Sequence, residues 1–184
     1  MAWQQTHKEQ TRQRILSSAG KLFTTQGYKQ VSIDDVMKDA QLTRGAFYHH
    51  FNSKQALYSE AIVFAARQAG QNRQQKSLSL PDLIRRYLSM EHVIATEDPC
   101  PLAFLISDIG LQEEAAKQSY GKVLDGFVTR LSLHSGIDET KVLQAAITMI
   151  GGVALARSTA SAPQAQNILD AAYCNALRAL EIIK

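Results

Sequence analysis

No stretch of this 184-residue chain comes near the roughly 18 uninterrupted apolar residues that would span a bilayer. The opening MAWQQTHKEQTRQR has no apolar run of the kind a secretory signal requires, so the expectation is an intracellular, cytoplasmic protein with no membrane partner. Cysteine is scarce: Cys100 and Cys174 stand far apart in no paired motif, which argues against a disulfide framework or a thiolate zinc site. Both read as structural thiols, and for a redox or electrophile-sensing role Cys100, in EDPCPL, has only His92 nearby in sequence to activate it. Missing too are a phosphate-binding loop, a nucleophile and base at a suggestive spacing, and a metal motif, so neither an enzyme nor a cofactor is expected. The pair His49 and His50 does not change this, because adjacent residues diverge by about 100° on a helix and no His, Cys, Asp or Glu three or four residues away completes a site.

What is present is the balance of a globular protein: 45% hydrophobic and 20% charged residues, with four prolines and ten glycines. The net charge of +3 is unevenly spread. Residues 1–60 hold eight Lys or Arg against five Asp or Glu, whereas the rest of the chain holds twelve of each. The positive excess therefore sits in the first third, where a phosphate-facing surface or an ordinary solvated face would both account for it.

Helical signals run through the whole length. Thr6 and Glu9 have capping-box spacing, and Ile15, Leu16, Ala19, Leu22 and Phe23 recur on one face before Gly27, which predicts a first helix over about 7–26. Ser32 with Asp35 caps a short second helix that ends at Ala40, and Thr43 caps a third after a turn of two or three residues. Two short helices joined so tightly must cross steeply, as in a helix-turn-helix. The third helix has two faces. Ala46, Phe47, His50 and Phe51 lie on one side, and Arg44, Gly45, Tyr48 and His49 on the other. The second set offers a permanent cation, two flat polar rings and a gap where a side chain is missing, a combination suited to the major groove and its phosphates.

Ser53 caps a fourth helix with Lys54 in its first turn, and the polar stretch GQNRQQKSLS marks a boundary or connection. Beyond it the pattern predicts a helix over about 81–97, a break at DPCP, short pieces through Phe104 and Ile109, and a longer helix over about 113–133. Two small-residue-rich helices follow, TKVLQAAITMIGGVALA and, after Ser161, PQAQNILDAAYCNALRALEII. They either bury each other within one subunit or pair with a second copy in a four-helix interface.

The segment YKQVSIDDVMKDAQLTRGAFYHHFNSKQAL resembles the TetR family of transcriptional regulators. The likeness rests on Gly27, Tyr28, Ser32, Ile33, Val36, Ala40, Thr43, Gly45, Phe47, Tyr48, His50, Phe51, Lys54 and Leu57, and covers about residues 8–65. One position departs from the pattern: Gln41 stands where the family often has Gly, and Gln takes a left-handed turn only at some cost. The resemblance implies an all-α protein of about nine helices, with a helix-turn-helix DNA-binding domain over 1–68 and a helical ligand-binding and dimerisation domain over 69–184. It further implies a homodimer through the last two helices, a palindromic double-stranded DNA operator and a small-molecule ligand that releases it. By the same resemblance Thr43, Tyr48 and Lys54 contact phosphates, with Ser32 contributing. Arg44 is the candidate reader of bases, with Gly45 and His49 beside it in the groove. For the ligand, Tyr87, Met90, Phe104, Tyr120, Phe127 and Met149 are candidates to line an apolar cavity, with His92 or Arg130 as a polar group; plain core is the competing reading of each. A helical interaction protein that reads no DNA, and an activator of the same fold, remain alternatives.

Overall fold

Among the residues described in this computed structural model, 2–73, 78–97 and 99–184, every regular element is a helix. In chain order they are α1 (Ala2–Gln26), α2 (Ile33–Asp39), α3 (Arg44–Tyr48), α4 (Lys54–Arg73), α5 (Leu80–Tyr87), α6 (Met90–Val93), α7 (Pro101–Phe104), α8 (Ile106–Ile109), α9 (Glu114–Ser135), α10 (Glu139–Arg157) and α11 (Ala162–Ala179). None is long and apolar enough to cross a membrane. The chain forms two compact units, one of residues 1–72 with 96–121 and the other of 73–95 with 122–184.

Most caps expected from the sequence are present. Ser32 accepts from the Asp35 amide at 3.1 Å while Asp35 accepts from the Ser32 amide at 2.8 Å, a reciprocal capping box. The Ser32 hydroxyl, which donates to Asp35 Oδ2 at 2.6 Å, and then the Ser32 amide hold the Asp35 carboxyl below its ordinary pKa. Helix α2 ends with Gln41 at φ 54°, where Leu42 N–H bonds to Met37 O and Gln41 N–H to Lys38 O. This is the left-handed closure in which an absent Cβ would be an advantage, adopted here by a glutamine. The Arg14 guanidinium supports the turn by donating to the Ala40 carbonyl at 2.7 Å.

Three expectations need correction. Helix α1 starts at Ala2 rather than after Thr6, because nothing in the preceding residues stops a helix, so Thr6 is an interior residue. The helix expected over 81–97 is two. Ser89 caps α6 through the His92 amide at 3.2 Å, and the Tyr87 carbonyl is bonded by His92 Nδ1 at 2.6 Å, so both local polar side chains favour the break. With α6, α7 and α8 each a single turn, the described residues hold eleven helices, in rough agreement with the nine or so expected. The last helix ends at Ala179 because Glu181, at φ 56°, closes it as Gln41 closes α2. Residues 74–77 of the connecting stretch and Asp98 of DPCP lie outside the described residues.

In the first unit Ile15, Leu16, Ala19 and Phe23 of α1 are buried with Val36 and Met37 of α2, Phe47 of α3 and Leu57, Tyr58, Ala61 and Ile62 of α4. In the second, α10 and α11 pack closely along Val142, Ala145, Ala146, Met149, Val153, Leu169, Ala172 and Ala176. Their approach is tightest at Gly152, where a Cβ would stand 2.6 Å from Ala172 Cβ and 3.1 Å from Leu88 Cδ2. Gly152→Ala therefore forces these helices apart. Overpacking of this kind costs about 1–3 kcal/mol, and the better helix propensity of alanine offsets about 1 kcal/mol of it. Calorimetry should show a net loss of about 1 kcal/mol, a fall of a few degrees in Tm; an unchanged or higher Tm would mean the helices separate without cost.

Candidate nucleic-acid interface

The candidate site begins with the crossing of α2 and α3. Burial of Phe47 and Phe51, stacked at 5.9 Å, fixes the inner face of α3 and its following turn. That leaves Arg44, Gly45, Tyr48 and His49 exposed, as the two-faced pattern predicts, and Tyr48 keeps 58% of its surface free while resting edge-on against Phe47. A Cβ on Gly45 would meet only the Thr43 hydroxyl, at 4.0 Å, so the backbone there is open to close approach. Thr43 occupies the N-cap position of α3 but, against expectation, its hydroxyl makes no capping bond. The hydroxyl is thus not committed to the helix end.

His50 turns inward, half-buried, with its Nδ1 buried and unbonded. Burial, and then the cations Lys8 and Arg12, lower its pKa, so the ring is neutral at pH 7. It lines a groove of about 390 Å³ with His7, Lys8, Thr11, Ala46 and His49. A second concavity in the same unit, about 330 Å³, is lined by Ser17, Ser18, Lys21, Phe64, Gln68 and Glu97 among others. Among the described residues no three His, Cys, Asp or Glu side chains gather as a metal site.

Lys54 opens α4, which Ser53 caps through the Ala56 amide at 3.0 Å. Its ammonium lies 4.2 Å from the centre of the Tyr28 ring. Burial lowers its pKa, against the pull of Asp108 and Asp35. Tyr28 is itself held from below: its amide donates to Asp108 Oδ2 at 3.2 Å, and the buried Tyr58 hydroxyl donates to the same oxygen at 2.8 Å. Gln112 Nε2 lies 3.3 Å from the other carboxylate oxygen. Phe23, Tyr28 and Tyr58 complete the support with ring centres 5.0–6.0 Å apart. Sequence reasoning missed this role of Asp108, which stands 80 residues from Tyr28 with no spacing to link them.

Asp34 was missed as well. Its carboxylate accepts from Arg44 Nη1 at 2.7 Å, an ion pair between α2 and α3. The Tyr48 hydroxyl and then Asp34 raise the Arg44 pKa further.

The ligand candidates are divided. Tyr87, His92 and Phe127 meet in the second unit, with ring centres 4.5 Å apart for Tyr87 and His92 and 5.3 Å for Tyr87 and Phe127. Met149 is buried in α10 and Met90 half-buried in α6. Phe104 and Tyr120 belong to the first unit, where the Tyr120 hydroxyl donates to Leu102 O at 2.6 Å; burial pushes its pKa up to about 12. Cys100 is buried ahead of α7 and Cys174 is exposed on α11, and neither is in a disulfide.

Comparison with known proteins finds the same segment. A family model described as bacterial regulatory proteins, tetR family, matches residues 15–61. The TetC protein of transposon Tn10 from Escherichia coli is 46% identical over 56 residues, 30% of this chain and 28% of its own length. The HTH-type transcriptional regulator AcrR of Shigella flexneri is 46% identical over 52 residues, 28% of this chain and 24% of its own. The chain thus matches less than a third of the length of these two relatives. Solved structures share the fold over nearly the whole chain. Reduced NemR of E. coli has a TM-score of 0.72 at 16% identity, covering 92% of this chain and 96% of its own. A regulator from Chloroflexus aurantiacus has a TM-score of 0.70 at 20% identity, covering 96% of both.

Proposed function

The chain belongs to the TetR family of bacterial regulatory proteins, and on that premise we propose that it is a ligand-responsive DNA-binding transcriptional regulator, a repressor released from a palindromic operator by a small molecule. The observation that carries this reading is the exposed set Arg44, Gly45, Tyr48 and His49, presented by a helix whose opposite face is locked into the core. Arg44 reads a base edge, with Gly45 and His49 beside it. Thr43, Tyr48 and Lys54 hold phosphates, and Ser32 adds to them from the start of α2. Residues 1–68 bind DNA, and residues 69–184 bind the ligand and dimerise.

The homodimer forms through α10 and α11. Supporting it, Leu143, Ile147 and Leu155 recur at four- and eight-residue intervals along α10 and remain exposed after α11 has packed, with a glycine at 151 in the same row. Two recognition helices then enter successive major grooves about 34 to 36 Å apart. The ligand acts by binding the two conformations of the dimer with different affinity.

Fluorescence anisotropy on a genomic fragment library, at two salt concentrations, tests the proposal. Wild-type protein should select one fragment with salt-sensitive affinity, and Arg44→Ala and Tyr48→Ala should each weaken that binding by about tenfold or more. Weak binding to every fragment, unaffected by either substitution, would favour the interaction-protein reading.

A further inference from the structure

The two neighbouring acids at the start of α2 have different duties. Asp35 is occupied by the capping box, bonded to the amide and hydroxyl of Ser32. Asp34 takes no part in that cap and bonds across to Arg44. An exposed carboxylate on the face that meets DNA is unfavourable for binding any polyanion, so its presence calls for a compensating role. Resting on the DNA-binding reading above, we propose that Asp34 is a positioning residue that sets sequence discrimination by holding the Arg44 guanidinium.

The geometry gives this a mechanism. Both side chains are largely exposed, 59% for Asp34 and 61% for Arg44, so the pair is not a packing requirement of the core. A guanidinium has five donors in a rigid fork. The 2.7 Å bond from Nη1 to Asp34 Oδ2 occupies one side of that fork. Asp34 leaves the edge formed by Nε and Nη2 untouched, with the Tyr48 hydroxyl beside the same guanidinium, and two parallel donors of that kind match O6 and N7 of guanine. Held this way, Arg44 has less rotamer freedom to lose on reaching a base. A free arginine would instead swing to the nearest phosphate, which carries no sequence information. The carboxylate adds a penalty against a phosphate in the same place. Asp34 therefore lowers affinity for arbitrary DNA and raises the cost of a wrong base opposite Arg44.

The test uses the full chain and the fragment selected by wild-type protein, with duplexes substituted one base pair at a time and a scrambled duplex, all at one salt concentration. Asp34→Ala should bind the scrambled duplex several-fold more tightly. It should lose about tenfold of the discrimination at the base pair read by Arg44, with other positions unchanged. In an Arg44→Ala background the same substitution should leave discrimination as it finds it. Thermal unfolding accompanies each variant, since Asp34 also lies in the first turn of α2, where a carboxylate suits the helix dipole. A role confined to helix stability would change affinity for all duplexes by one factor, and that result would overturn the proposal while leaving the regulator reading intact. Wild-type protein that prefers no sequence would overturn both.

Discussion

Asp108→Ala should destabilise the N-terminal unit by about 2–4 kcal/mol, and adding Tyr58→Phe should recover a large part of the loss. The carboxylate of Asp108 is the shared acceptor for the Tyr58 hydroxyl at 2.8 Å and the Tyr28 amide at 3.2 Å. Tyr58 is fully buried, so without Asp108 its hydroxyl has no water to turn to. A buried polar group left unbonded costs about 1–3 kcal/mol, and the part-buried amide adds to that. Replacing Tyr58 by Phe removes the hydroxyl along with its missing partner, so the double variant should be more stable than the sum of the single losses predicts. Urea denaturation of the four proteins measures this. Strict additivity would show that the oxygen and hydroxyl do not depend on each other.

The same pair has a pH signature. Burial first, then the bond to Asp108 and its charge, raise the Tyr58 pKa far above its ordinary value of 10.0. In the unfolded chain the phenol ionises near that ordinary value, while in the folded chain it keeps its proton. Above about pH 10 the folded state therefore binds more protons than the unfolded state, and stability falls as pH rises. Tyr58→Phe should flatten that alkaline decline. The node also reaches the candidate DNA surface, because Tyr28, held by Asp108, lies beneath the Lys54 ammonium.

How far such features were legible in the sequence depends on how local their causes are. The capping box at Ser32, the stop at Ala40 and the two faces of α3 are set by residues within one or two turns of each other, so periodicity and cap chemistry expose them. Gln41 was legible through the family resemblance instead, as a position where Gly is frequent, and it takes the left-handed conformation despite its Cβ. The Thr6 and Glu9 spacing misled because the same pattern can lie inside a helix that began earlier. The break after Tyr87 was hidden because Ser89 and His92 fit a helical pattern until their side chains take backbone partners. Asp34 and Asp108 were out of reach for a different reason: their partners lie ten and 50 to 80 residues away, beyond the reach of helical periodicity or cap spacing. Each acid even has a local candidate at i+4, Lys38 for Asp34 and Gln112 for Asp108, which draws attention from the distant partner.

Ile147→Asp should convert the proposed dimer to a monomer and with it abolish tight binding to the proposed operator. Ile147 is 62% exposed on α10, flanked in the same row by Leu143 at 40% and Leu155 at 61%. Such a row, left free after the opposite side of α10 has packed on α11, matches the seam of a four-helix interface. In a twofold interface each residue is used by both subunits, so one substitution acts twice. Losing the burial of two isoleucines costs about 3–6 kcal/mol, and desolvating two carboxylates adds to it. At about 1.4 kcal/mol per factor of ten, dimerisation should weaken by at least about a hundredfold. The fold itself should survive, because Val142, Ala145, Ala146, Met149 and Val153 on the buried side are untouched. A monomer presents one recognition helix where the proposed palindrome requires two, and the second half-site no longer adds to the first. Sedimentation velocity beside a thermal melt separates the outcomes. A folded monomer that has lost the operator places the interface on this row, whereas an intact dimer with unchanged affinity would place it elsewhere on the chain.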